Sequence, residues 1–226
     1  MPLIRSCLDS TSEGYQANRE ACLDRLAQLR RVEEQTRQRS EAARDRFIKR
    51  GQLLPRERLA LLLDGDAPTL ELSTLAGWRG DSGDAKRAMA GAGVIALIGS
   101  VASVRCMVLA SDSGIDAGAL QPMGLEKMLR AQEIALQNRL PFIQLIESAG
   151  ANLRDYRVED FVRGGSLFRN LARLSAAGIP VITIVHGSST AGGAYQTGLA
   201  DYIILVRDRS KVFLAGPPLL KAATGE

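Results

Sequence analysis

The sequence predicts an α/β fold built on a largely parallel sheet, and three observations carry that expectation. Apolar runs alternate with helical patterns from Leu125 to Ala215, the order that places helices between parallel strands. Two of the strand ends, Ser148-Ala149-Gly150-Ala151-Asn152 and Ser188 to Ala194, run into small residues, and in open α/β sheets ligands sit beyond such carboxyl ends. At 226 residues and 46% hydrophobic, the chain is long enough to close one substantial core.

From the N-terminus, Tyr15 to Lys49 contains no Gly or Pro and is rich in Ala, Glu, Gln, Arg and Leu, which predicts helix. Cys22, Leu23, Leu26 and Leu29 give it a narrow apolar stripe that thins toward Phe47 and Ile48, the pattern of a helix lying on a body or a partner chain. Gly51 stops it, and LLPRERLALLLDGD starts a second helix with Pro55 near its first turn and Gly65 just past its end. Leu70 to Leu75 reads as a short strand and Gly77 to Gly83 as a loop. Gly93 to Ile98 and Val104 to Ala110 read as paired buried strands joined by Gly99 to Ser103. After the loop SDSGIDAGALQP, Leu125, Met128, Leu129 and Leu136 recur at helical spacing up to Asn138, and Pro141 ends the pattern. The remaining elements are a strand at Phe142 to Ile146, a helix from Gly165 to Ala177, a strand at Val181 to Val185, a helix from Gly193, and strands at Tyr202 to Val206 and Val212 to Ala215.

The first sixty residues carry 13 Lys and Arg against 9 Asp and Glu, and so the whole net charge of +4; the rest is balanced at 16 against 16. A balanced body argues against a general nucleic-acid binder, while the basic end can meet an anionic ligand or partner. Cys7, Cys22 and Cys106 lie far apart and form neither a disulfide framework nor a CxxC zinc site, which predicts a reducing compartment. MPLIRSCLDSTSEG has no long apolar core and carries acids early, and no later apolar run reaches membrane-spanning length. The expectation is a cytoplasmic protein with no metal site and neither nucleic acid nor membrane as partner.

The stretch His186 to Asp201, HGSSTAGGAYQTGLAD, joins an apolar strand to a helical pattern. A strand, a bare turn and a helix start aim unpaired N–H groups and the positive end of a helix dipole at one spot, which suits an oxyanion or a phosphate. Glycines that only let a helix pack close to a sheet are the other reading. A nucleophilic serine fits poorly, because Gly187-Ser188-Ser189-Thr190-Ala191 does not complete G-x-S-x-G and the lone histidine, His186, follows an apolar strand. No G-x-x-x-x-G-K-[ST] phosphate loop occurs. Among Asp112, Asp116, Glu133, Glu147 and Asp201, Glu147 is best placed for acid–base work, although a strand-end carboxylate that caps a loop is the commoner case. No pair of these acids has a spacing that specifies a mechanism, which leaves the two small-residue loops as paired backbone donors.

ESAGANL and IVHGSSTAGGAYQTGLADYIILV resemble the crotonase-like superfamily, in which two backbone N–H groups from such loops hold the thioester oxygen of an acyl-CoA. The resemblance narrows with LLPRERLALLLD, LRAQEIALQNRLPFIQLIESAGANL, GSSTAGGAY and VFLAGPPLLKAATGE, which are similar to the carboxyltransferase (beta) subunit of biotin-dependent acyl-CoA carboxylases of the methylcrotonyl- and geranyl-CoA type, over roughly Arg46 to Glu226. It implies a crotonase-like α/β domain over residues 66–226 with a basic helical extension over residues 1–65. It also implies biotin carried on a separate alpha subunit, a homo-oligomer of beta subunits, and coenzyme A as part of the substrate. The backbone amides of Gly192 and Gly193, with Gly150 and Ala151 of the other loop, would hold the enolate oxygen. Decarboxylated biotin would be the base, so no side-chain base is required. Ala149, Gly164, Gly165, Ala191 and Tyr195 would contact the acyl group, and Arg46, Lys49, Arg50, Arg56 and Arg58 are candidates for the CoA phosphates, though single charges on a helix carry little weight.

Gly164 stands where the methylcrotonyl enzymes look to have a bulky Phe. Removing a ring lengthens the pocket by several methylenes, each worth about 0.8 kcal/mol when buried, which favours a longer acyl group such as geranyl; a flexible helix entrance is the alternative. The chain also departs from the family pattern. Ser148-Ala149-Gly150-Ala151 replaces SGGA, and Asp116 to Gln121 replaces a Lys-Gly-Gly-aromatic stretch. The family's biotin-binding half is missing from the sequence up to Glu226, so the chain is expected to bind acyl-CoA without carboxylating it. Two rivals follow: a stand-alone hydratase or isomerase, which needs Glu147 to act directly, and a non-catalytic assembly module docking through the first sixty residues.

Overall fold

The computed structural model describes residues 6–78, 90–151 and 157–225. Helix α1 (Glu13–Glu41) and a short α2 (Arg44–Lys49) replace the single helical run expected from composition. Ala42 and Ala43 between them are strong helix formers, so local propensity does not make the break. Tertiary contact does. Ser40 is buried with its hydroxyl donating to Asp112 Oδ1 at 2.5 Å, a Cβ on Gly114 would meet Ser40 O at 2.7 Å, and Arg46 donates to the carbonyls of Ser113 and Gly114 at 3.3 and 3.4 Å.

Helix α3 (Pro55–Leu62) begins on its proline, and Glu57 Oε2 accepts the Leu54 N–H at 2.9 Å, satisfying one orphan donor of the first turn. Strand β1 is only Leu70–Glu71, shorter than the expected Leu70 to Leu75, because Ser73 turns to φ 52°. The Gly77 to Gly83 loop lies outside the described residues beyond Trp78. Strands β2 (Val94–Val101) and β3 (Val104–Ser111) form an antiparallel hairpin turned by Ala102 and Ser103 alone, at φ 50° and 66°. The five-residue connection expected at Gly99 to Ser103 is thus two residues. The Asp64 carboxylate accepts both turn N–H groups, at 3.0 and 2.7 Å, and so holds non-glycine residues in left-handed backbone.

The rest alternates as predicted. Helix α4 (Pro122–Asn138), strand β4 (Phe142–Ser148), helix α5 (Val158–Ala176), strand β5 (Val181–Thr190), helix α6 (Gly192–Gly198), strands β6 (Tyr202–Leu205) and β7 (Lys211–Phe213) and helix α7 (Pro217–Thr224) follow in order. Of these, α4, β4, α5 and β5 are longer than expected and β6 and β7 shorter. The helix at α7 was not foreseen, although Pro217 and Pro218 open it as first-turn prolines do. The sheet runs β1-β2-β3-β4-β5-β6, with β7 pairing the far end of β5; pairs from β3 onward are parallel. Helices α4 and α5 cover one face, burying Leu129, Leu171 and Leu174 against Met107, Phe142 and Val181. Helix α3 covers part of the other, where Leu59 packs on Ile95, Val108, Ile143 and Leu145. No helix among the described residues is long and apolar enough to cross a membrane.

Candidate functional site

Beyond the carboxyl ends of β3, β4 and β5 opens a cleft of about 1040 Å³. Its walls are Ile146 and Ser148 to Ala151 at the end of β4, the turn Ala191 to Gly193, the Phe213 to Gly216 segment, and one face of α5 carrying Asp160, Phe161, Gly164, Gly165 and Phe168. Asp160 is the single ionisable residue among the described lining residues. The cleft is therefore nearly uncharged: its apolar walls are interrupted by neutral polar side chains such as Gln121, Gln144, Ser148 and Thr190 and by backbone groups.

The sequence reading placed a bare turn from Gly187 onward. Instead β5 continues to Thr190, because Ser188, Ser189 and Thr190 pair in parallel with Lys211, Val212 and Phe213. The turn itself is one residue, Ala191, at φ 50° and ψ −111°, its N–H donating to Phe213 O at 2.9 Å. Helix α6 then starts on Gly192. The first N–H groups of a helix have no intrahelical acceptor, and those of Gly192 and Gly193 have no partner among the described residues. The two glycines differ. A Cβ on Gly193 would meet Ser189 Oγ at 2.8 Å, whereas one on Gly192 would meet only Phe168 Cζ at 3.9 Å.

The second loop is braced by the segment Asp116 to Leu120. Ala149 N–H donates to Ala117 O at 3.2 Å, Leu120 N–H donates to Gly150 O at 2.9 Å, and Ser148 Oγ donates to Gly118 O at 2.8 Å. Gly150 N–H is taken by Ser148 Oγ at 3.1 Å. Gly150, at φ +92°, therefore shapes the loop, and the N–H of Ala151 is the one left without a partner among the described residues. Asn152, the last residue of the expected loop, lies outside them. The two loops touch, since a Cβ on Gly150 would lie 3.7 Å from Ala191 Cβ.

Glu147 is not in the cleft. Ile146 and Ser148 face α6, and Glu147 points through the opposite face of the sheet toward α3, where Gln52 Nε2 donates to Oε1 at 3.0 Å and Ser113 Oγ to Oε2 at 2.7 Å. His186 is buried beside it, with Nδ1 3.7 Å from Glu147 Oε2. Burial and the nearby Arg58 charge hold His186 down at about 4, against the pull of Glu147, so it is neutral and no ion pair forms. The other acids serve structure as well: Asp201 accepts from Ser175 Oγ and Val181 N–H, Glu133 pairs with Arg130, and Asp112 holds Ser40.

None of the five candidate cations lines the cleft. Arg56 is committed to Glu71 through two hydrogen bonds of 2.9 and 2.8 Å, Arg46 to backbone carbonyls, and Arg58 sits half-buried by Glu147; Lys49 and Arg50 are exposed. Tyr195 is exposed and does not line the cleft; its ring packs tilted against that of Phe168, which does, with centroids 5.4 Å apart. Gly164 and Gly165 lie inside α5 rather than at its entrance, which is Val158. Sequence reading overlooked Phe161 and Phe168. They stand seven residues apart with Gly164 between, a helical spacing that would have revealed the face once α5 was started early enough.

A family model described as the carboxyl transferase domain matches residues 47–226. The chain is similar to the beta subunit of Pseudomonas aeruginosa (P. aeruginosa) geranyl-CoA carboxylase in its crystal structure, at 54% identity and a TM-score of 0.87, covering 96% of this chain and 41% of that one. Among Mycobacterium tuberculosis proteins, it is 51% identical over 182 residues to a probable biotin-dependent acyl-coenzyme A carboxylase beta2 subunit, covering 80% of this chain and 33% of the relative. It is 47% identical over 191 residues to a biotin-dependent 3-methylcrotonyl-coenzyme A carboxylase beta1 subunit, covering 83% and 35%. The chain thus spans a third to two fifths of the length of these relatives.

Proposed function

The chain belongs to the carboxyl transferase domain family, and on that premise we propose that it supplies the acyl-CoA-binding half of a biotin-dependent acyl-CoA carboxylase. Its substrate is a branched unsaturated acyl-CoA, geranyl-CoA ahead of 3-methylcrotonyl-CoA. Residues 66–226 form the acyl-CoA domain and residues 1–65 a basic extension. Its partners are a biotin-carrying alpha subunit and further copies of the beta subunit.

The observation that supports carboxyl transfer over direct acid–base chemistry is the pairing of open N–H groups with an almost uncharged cleft. Carboxybiotin, brought by the partner subunit, supplies the carboxyl group. This chain orients the thioester and holds charge. As the acyl group loses a proton, negative charge grows on the thioester oxygen, and the N–H groups of Gly192 and Ala151 meet it. One such donor is worth about 3 kcal/mol of transition-state stabilisation. Apolar walls keep water away, which strengthens the interaction. Glu147, the carboxylate that a stand-alone hydratase would need, is on the far face of the sheet. Lys49 and Arg50, exposed at the end of α2, are the remaining candidates for the CoA phosphates.

Gly164 supports the longer substrate. It lines the cleft between Phe161 and Phe168, and a Cβ there would meet nothing within 4 Å. Geranyl is about five carbons longer than methylcrotonyl, and each buried methylene contributes about 0.8 kcal/mol. Gly164→Phe, made in the full-length beta subunit assembled with its alpha subunit, is expected to shift the geranyl to methylcrotonyl ratio of kcat/KM by at least tenfold toward the short substrate. An unmoved ratio removes the argument for chain length.

A further inference from the structure

We propose that Glu147 is the positioning residue of the oxyanion site: from behind the sheet it fixes the carboxyl ends of β4 and β5 so that the N–H groups of the two loops meet one oxygen. This rests on the oxyanion reading above and adds to it a residue that never touches substrate.

Three segments converge on one carboxylate. Oε1 accepts from Gln52 just ahead of α3, and Oε2 accepts from Ser113 just past β3. His186 and Gly187 of β5 lie against it; a Cβ on Gly187 would fall on the carboxylate itself, so that position must be glycine for Glu147 to lie where it does. The Glu147 carbonyl oxygen is likewise so close to Gly118 that a Cβ there would fall on it. The location matters because β4 and β5 slip in register here: Ile146 pairs with Val185, yet Ser148 pairs with Ser189. Regular ladder bonds do not fix the relative position of the two loops across that irregularity. The residue spanning it is Glu147, one position before Ser148, whose hydroxyl shapes the Gly150 turn, and opposite the end of β5 that leads through Ala191 to Gly192. A carboxylate only 12% exposed that no catalytic step uses, placed at the one break in the ladder between the two donor loops, fits a brace.

The chemistry distinguishes a brace from a base. If Glu147 only accepts hydrogen bonds, Glu147→Gln keeps the network, because its amide oxygen accepts from Gln52 and its NH2 donates to Ser113 Oγ, which can accept. If it moves protons, glutamine is as inactive as alanine. Gly187→Ala displaces the carboxylate without removing it, and Glu147→Ala makes room for that methyl group, so the two changes should not add.

The test uses the full-length beta subunit assembled with its biotin-carrying partner, with geranyl-CoA and the thioether analogue in which CH2 replaces the thioester carbonyl. Steady-state kinetics are paired with calorimetric binding of both ligands. Glu147→Ala and Gly187→Ala are each expected to lower kcat by about tenfold to a hundredfold, with KM changed less than about threefold, since a displacement of order 1 Å at a catalytic group costs about that much. Both should lose the preference for thioester over thioether, Glu147→Gln should recover most of kcat, and the double variant should be no worse than Glu147→Ala alone. Glutamine as inactive as alanine, or equal weakening of both ligands, overturns the proposal. A wild-type enzyme that binds thioester and thioether alike overturns the oxyanion reading beneath it, which is a distinct result.

Discussion

The two faces of the sheet at the ends of β4 and β5 are built from opposite chemistry. Toward the cleft lie backbone N–H groups, apolar walls and a single carboxylate, Asp160. Toward α3 lie Glu147, His186, Arg58 and Gln52, packed within a few residues of the same strand ends. Period-two alternation makes this separation possible, because Ile146 and Ser148 face one way and Glu147 the other. A site that must bind an apolar acyl chain and stabilise a transient oxyanion gains from fixed dipoles in front and from keeping titratable side chains behind, where they do not attract water to the substrate.

Filling the front is the strongest way to break the contrast. Gly192→Val should abolish carboxylation in the assembled enzyme, a loss of more than about 10²-fold, while leaving thermal stability nearly unchanged, since its Cβ meets only Phe168. Unchanged turnover would remove Gly192 from the site.

The back is probed by acid. Unfolding lets His186 take a proton near its ordinary value of 6.5, whereas in the fold it waits until about 4. Between those values the unfolded chain binds more protons, so stability is full above pH 6.5 and declines as pH falls toward 4. Denaturant titrations of the full-length subunit at several pH values should show this slope, and His186→Gln should flatten it; an equal slope in both proteins would locate the acid sensitivity elsewhere.

Smaller still is Gly193→Ala. Its methyl group must displace the buried Ser189 hydroxyl, 2.8 Å from the ideal Cβ, at a cost of about 1–2 kcal/mol measurable by chemical denaturation. A stable Gly193→Ala protein would mean that Ser189 can move aside. The smallest effect is expected from Asp160→Asn. A front face that works through backbone donors should keep kcat within about threefold, whereas loss of the 10²-fold or more typical of general acid–base catalysis would restore a side-chain acid or base to the cleft.

The sequence by itself determined the alternation of strands and helices, the proline that opens α3, and the two small-residue strand ends, because periodicity and backbone freedom are local properties. It also carried the family resemblance, through stretches in which most of those local properties occur together. Element ends were less legible. Strand β5 runs to Thr190 because of what it pairs with, not because of its own residues.

The site shows the same division. Gly192 was legible as a candidate donor only through the family resemblance, since the bare turn alone left glycines that merely pack as the other reading. That Gly150 N–H is already spent on Ser148 was not, because the hydrogen bond depends on a turn whose shape the Asp116 to Leu120 segment imposes. The direction of Glu147 was hidden for a related reason. Alternation from Phe142 would have placed it opposite Ile146, but only the folded chain shows Gln52, Ser113 and His186, distant in sequence, closing around it. Local sequence fixes which backbone groups can be free. Which of them stay free, and which charges are kept from the cleft, was decided by contacts between segments far apart in the chain.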